Sequence, residues 1–97
     1  MKQKVSDYIA DRLAQEGISQ VFTVTGGGAM HLNDSLGHHP GLSCLYHHHE
    51  QAAAMAAEGY ARVEGHPGIV SISSGPAALN AISGLYGAYV DSLPVFC

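Results

Sequence analysis

Charge is scarce in this chain. Only 12% of its residues are charged, about half the roughly 25% of an ordinary soluble domain. So thin a polar coating does not suit a free-standing globule, and part of the surface is expected to lie against further sequence or another subunit. The cations are four, Lys2, Lys4, Arg12 and Arg62, and they are scattered. With no basic patch to meet a phosphate backbone, nucleic-acid binding is set aside. Long apolar runs are missing too: none approaches the ~20 residues of a membrane-spanning helix. The opening MKQKVSDYIADRL is broken by charge within two turns and is not a signal-peptide core. Cysteine is limited to Cys44 and Cys97. They form neither a metal nor a redox spacing, so a reducing cytoplasm, with both as thiols, is the expected setting.

What is present is apolar residues and glycine: 46% of the chain is hydrophobic and 12 of its 97 residues are Gly. That suffices for one small domain, burying roughly 60% of its unfolded surface. Val5, Ile9 and Leu13 fall four apart, with Tyr8 beside them and the charges elsewhere. This is the stripe of an amphipathic helix, closed by Gly17 in a left-handed conformation. Residues 20–24 (QVFTV) read as a buried strand, broken by the glycines that follow. A helical pattern over 29–36 ends at His38, His39, Pro40 and Gly41, and a short strand follows at 42–46. Residues 50–62 form an alanine-rich helix ended by Gly65 and Pro67, and 68–73 form a third strand. Ser74-Gly75-Pro76 turns into a fourth helix running to about Asp91, and 93–97 begin a fourth strand.

Strands and helices alternating through short connections predict an α/β fold: a three-layer, doubly wound parallel sheet with helices on both faces. The final apolar strand has no covering helix, so the single domain over 1–97 is expected to be C-terminally truncated.

Open parallel sheets bind ligands beyond the carboxyl ends of their strands. Three segments are expected along that rim: 25–28, 47–50 and 73–80. Gly26-Gly27-Gly28 offers backbone amides with no β-carbons in the way. A dinucleotide reading has Glu50 in its favour, 22 positions after Gly28, but lacks the third glycine and the opening strand of that fingerprint. The bland alternative is a tight strand-to-helix turn. His47-His48-His49-Glu50 invites a metal, yet adjacent residues at a strand end point to alternating sides and converge poorly; a polar junction is the alternative. His38-His39 reads as a solvated loop.

Glu50 opens a helix whose next residues are small and uncharged. An acid there is stabilised by the helix dipole and needs no further role. A helix so densely packed would also desolvate the carboxyl, raising its pKa and making it a candidate acid/base. Asn80 is expected to hydrogen-bond the preceding helical turn. Ala77, Ala78, Ala81, Gly84, Gly87 and Ala88 give the fourth helix a small face, suited to close helix–helix approach.

Three segments together, VTGGGAMHLNDSL, HHEQAAAMAAEGYAR and SSGPAALNAISGLYGAYVDSLPV, resemble the pyrimidine-binding domain of thiamine-diphosphate enzymes of the acetolactate synthase type. The match runs in order from Val5 onward. Glu50 falls where that family keeps the glutamate that hydrogen-bonds N1′ of the cofactor's aminopyrimidine and so helps activate the thiazolium C2–H. The resemblance assigns Thr25, Gly26 and Gly27 to the loop near the thiazolium and substrate, and Ser73, Pro76 and Asn80 to the pyrimidine wall. Ala77 and Leu79 depart from the usual Gly-Pro-Gly-(Ala/Gly)-Thr-Asn turn.

The implied enzyme works on 2-oxo acids, decarboxylating pyruvate and ligating the product. Its other domains supply Mg²⁺ for the diphosphate and, in some members, FAD. The implied assembly is a homodimer or homotetramer with the site between subunits. A 2-oxo acid decarboxylase or oxidase of the same superfamily, or a non-catalytic partner chain, are the competing readings.

Overall fold

The computed structural model describes residues 2–97. Helix α1 (Val5–Gln15) leads into strand β1 (Gln20–Thr23), and a 3₁₀ turn (Gly27–Ala29) enters α2 (Met30–His38). Strand β2 (Ser43–Tyr46), α3 (Glu50–Glu64), β3 (Gly68–Ser71), α4 (Pro76–Val90) and β4 (Val95–Phe96) complete the order. Helix α1 stops where Gly17 takes φ +85°, and the Ile18 amide turns back to the Leu13 carbonyl at 3.1 Å. Gly65 (φ +70°) ends α3 in the same way, its amide donating to Ala61 O. A left-handed residue at this position lets the chain leave while orphan carbonyls are still satisfied.

The four strands form one parallel sheet in the order β2-β1-β3-β4. Successive side chains face opposite sides of a strand, and the two cores sort accordingly. Val21 and Ile69 pack with Ala10 of α1 and Leu36 of α2 on one face. Phe22 and Val70 pack with Ala53 and Ala57 of α3 on the other. Helices therefore cover both faces, as the alternation predicts.

Small residues set the spacing of the α3 layer. Ala53, Ala54, Ala57 and Ala61 are its buried positions. Gly68 lies directly beneath the Ala57 carbonyl, where a β-carbon would collide with backbone. On the outer side α3 packs against α4 through Ala81, Gly84 and Ala88. A β-carbon on Gly84 would come within 2.5 Å of Ala54 Cβ, so the two helices are nearly as close as backbones allow.

Strand β3 ends at Ser71, two residues before the sequence suggested. Its carbonyl accepts the last rung, from Val24 N at 3.2 Å, and Ile72 and Ser73 then leave the sheet. Strand β4 is an edge strand with two paired residues, Val95 and Phe96.

Much apolar surface stays open. On α4, Leu79, Ile82, Tyr86 and Tyr89 are more than half exposed and form one stripe. A cleft of about 430 Å³ between Ile9, Leu13, Leu36 and Phe96 leaves part of the α1/α2 face uncovered.

Candidate functional site

Strand order alone locates a crevice. From β1 the chain passes through α2 to β2 on one side, and from β3 it passes through α4 to β4 on the other. The connections leaving the carboxyl ends of β1 and β3 part toward opposite faces there, which makes their junction a topological switch point.

Gly26 and Ser73 meet at this junction. A β-carbon on Gly26 would lie 2.5 Å from Ser73 Cβ and 2.8 Å from its Oγ, and one on Gly28 would lie 3.0 Å from the Oγ atoms of Ser73 and Ser74. The glycines are thus required by the serine loop, and backbone forms this side of the crevice. Asn33 of α2 holds the loop from below, donating from Nδ2 to Gly26 O in a long 3.4 Å bond. Thr25 and Gly27 are exposed and border an open groove of about 390 Å³ with Met30 and Asn33. Beyond Gly28, a wider cleft of about 860 Å³ runs between Ile9, Met30, His31 and Ser73.

Glu50 stands at the first turn of α3. Asn80, one turn into α4, donates from Nδ2 to Glu50 Oε1 at 3.1 Å. Contrary to the expectation from sequence, Asn80 donates not to its own preceding turn but to Glu50; the tight α3–α4 seam brings it to a partner 30 positions away. Pro76 occupies the first turn of α4, where its missing N–H costs nothing.

The carboxyl of Glu50 titrates below its ordinary value, contrary to the expectation of desolvation. The Asn80 amide, foremost, and Glu50's own backbone N–H stabilise its charged form, and exposure leaves the opposing desolvation smaller. The small residues behind it pack α3 well, but they lie deeper than the carboxyl itself.

The three histidines before Glu50 separate by environment. His47 packs its ring toward Phe22 (centroids 6.0 Å apart) and its backbone N–H bonds Thr23 O at 2.8 Å. His48 is exposed, and His49 caps α3, its Nδ1 accepting from Gln51 N at 3.0 Å. Among the described residues no three His, Cys, Asp or Glu side chains gather as a metal site. His39 is not merely solvated: it is half-buried, with Nε2 2.9 Å from Asp11 Oδ1 of α1 and Nδ1 accepting from Gly41 N. Sequence reasoning missed Asn33. Its one signal was an amide among the inward-facing residues of a short helix.

A backbone-walled crevice at the switch point of a parallel sheet, with a carboxylate on the same rim, defines a ligand-binding α/β domain. Residues 3–97 match the family described as thiamine pyrophosphate enzyme, N-terminal TPP binding domain, and the chain belongs to that family. It is 40% identical over 93 residues to acetolactate synthase 2, chloroplastic, of Nicotiana tabacum, an alignment covering 96% of this chain and 14% of that protein. The Arabidopsis thaliana acetolactate synthase, chloroplastic, is 39% identical over 93 residues, again 96% of this chain and 14% of the relative. Acetolactate synthase isozyme 3 large subunit of Escherichia coli (strain K12) is 39% identical over 90 residues, 93% of this chain and 16% of the relative. The chain thus spans about a seventh of the length of these relatives. No helix among the described residues is long and apolar enough to cross a membrane.

Proposed function

We propose that this chain forms the pyrimidine side of a thiamine-diphosphate site in an acetolactate-synthase-like enzyme, with Glu50 as the carboxylate that engages N1′. The observation carrying this is the placement of Glu50: it stands at the rim of the sheet with its head group held by Asn80, whose amide lowers the carboxyl's pKa. A carboxylate offers about four lone-pair positions, so the two donors it has leave capacity for a cofactor proton. Glu50 then holds or returns a proton at N1′. Asn80 acts through Glu50 rather than on the ring, fixing which way the carboxylate faces. The backbone of Gly26 and Gly27 admits the cofactor without side-chain obstruction, and Thr25, Ser73 and Pro76 complete the wall.

Bound thiamine diphosphate supplies an electron sink for decarboxylation of a 2-oxo acid; pyruvate, followed by carboligation, is the reaction proposed. Mg²⁺ for the diphosphate is assigned to other domains. The exposed stripe of Leu79, Ile82, Tyr86 and Tyr89 on α4 is proposed to meet a second subunit in a homodimer or homotetramer. Burying that surface takes Glu50 partly out of water and raises its pKa from the low value of the open chain.

A chimera tests the reading: this chain replaces the matching segment of the E. coli acetolactate synthase isozyme 3 large subunit. Turnover of pyruvate is expected with thiamine diphosphate and Mg²⁺ present. Glu50→Gln should keep cofactor binding and lower turnover by about 10²–10⁴-fold, the usual worth of positioned acid–base groups. Full activity in that variant rules the role out.

A further inference from the structure

We infer that His49 is a positioning residue for Glu50, capping α3 with a neutral imidazole; the inference rests on the reading of Glu50 given above. The first four N–H groups of any helix lack an intrahelical acceptor, and a Ser, Thr, Asn or Asp oxygen usually fills one of them. Here α1 is preceded by Lys4, α2 by Ala29 and α4 by Gly75, and none of these gives a side-chain cap. Of the four α-helices among the described residues, only the one that carries Glu50 has one.

The geometry clamps the residue between its neighbours. His49 is extended (φ −149°, ψ 138°), its Nδ1 accepts from Gln51 N at 3.0 Å, and its carbonyl accepts from Ala53 N at 3.2 Å. The backbone on both sides of Glu50 is thereby fixed, which sets the direction of its Cα–Cβ bond. Asn80 fixes the other end of the same side chain. Glu50 is held at its root by His49 and at its head by α4.

The residue type matters as well as the bond. An accepting Nδ1 has no proton, so the ring's hydrogen is on Nε2. Such a cap satisfies the amide without bringing charge. Aspartate would cap equally well but would set a second carboxylate beside the first and favour its protonated form. A protonated imidazole would lose the accepting nitrogen and favour the Glu50 carboxylate by its charge, so the cap belongs to the uncharged ring.

NMR of the isotope-labelled chain tests this. At neutral pH, Nδ1 of His49 should resonate as an unprotonated nitrogen and Nε2 should bear the hydrogen. His49→Asn should keep the Gln51 amide resonance and, at neutral pH, the Glu50 side-chain resonances near their parent positions. At neutral pH His49→Asp should keep the amide as well, and His49→Ala should shift both the amide and the Glu50 side-chain resonances. A proton on Nδ1 overturns the inference, as do unchanged Glu50 side-chain resonances at neutral pH in a folded His49→Ala chain. If the alanine variant unfolds, the asparagine variant decides: parent-like Glu50 side-chain resonances at neutral pH support the cap and displaced ones refute it. The cofactor reading fails separately, through the Glu50→Gln chimera, whatever the tautomer of His49.

Discussion

Alanine at Gly84 would put a methyl into the tightest seam of the molecule. Its β-carbon would lie 2.5 Å from Ala54 Cβ, 3.0 Å from Met55 N and 3.1 Å from Ala54 C. Carbon atoms prefer about 3.5–4.0 Å, so α3 and α4 must separate by roughly 1 Å. Two of the three obstacles are backbone and have no rotamer to escape into. Overpacking of this kind costs about 1–3 kcal/mol, and backbone contact places Gly84→Ala at the upper end. Against it stands the helix-propensity gain of alanine over glycine, about 1 kcal/mol. The net is a loss of about 2 kcal/mol, which in a domain of this size lowers Tm by roughly 8–16 °C.

Gly59, inside α3, has nothing within 4 Å of its would-be β-carbon and isolates the propensity term. Gly59→Ala should stabilise by about 1 kcal/mol. Thermal unfolding followed by circular dichroism compares the two. The seam also carries function: Glu50 lies four residues before Ala54, and Asn80 four before Gly84, so spreading the helices stretches the 3.1 Å bond between them. If Gly84→Ala melts at or above the parent, the seam relaxes freely and the account of what aligns Asn80 with Glu50 is wrong.

Asn80→Ala removes the leading cause of Glu50's lowered pKa, and carbon-detected titration should show that pKa rise toward 4.5, the value of a free side chain. The sign follows: with the folded value depressed, Glu50 contributes stability above its unfolded pKa and loses it as pH falls through the folded one. Asn80→Ala should therefore flatten that acid loss, and an unmoved titration would show that the bond is absent in solution. His39→Ala breaks the link from the α2–β2 connection to Asp11 of α1 and should cost about 1 kcal/mol, read from urea unfolding.

Element type and order were legible because they rest on local chemistry. Four-residue apolar spacing in α1, β-branched runs at β1 and β3, and glycine after α1 and α3 each act within a few residues of themselves. The parallel arrangement followed too, since strands alternating with helices cannot return as hairpins. Strand ends were less legible. Ile72 and Ser73 have strand-like chemistry, but the last rung at Ser71 depends on how far β1 extends beside it. His39 looked like a loop residue because its partner, Asp11, is 28 positions away.

The sequence by itself determined the family, the α/β order and Glu50 as the residue to watch. Those are carried by segments whose meaning survives without coordinates. Only the tertiary structure decided what Glu50 touches and how it titrates. Asn80 reaches it because Gly84 and Ala54 let two helices approach nearly backbone to backbone, and that amide, with Glu50's own backbone N–H, holds the carboxyl below its ordinary pKa. Hydrogen bonding and solvation depend on distances across the fold, and no local pattern of residues contains them.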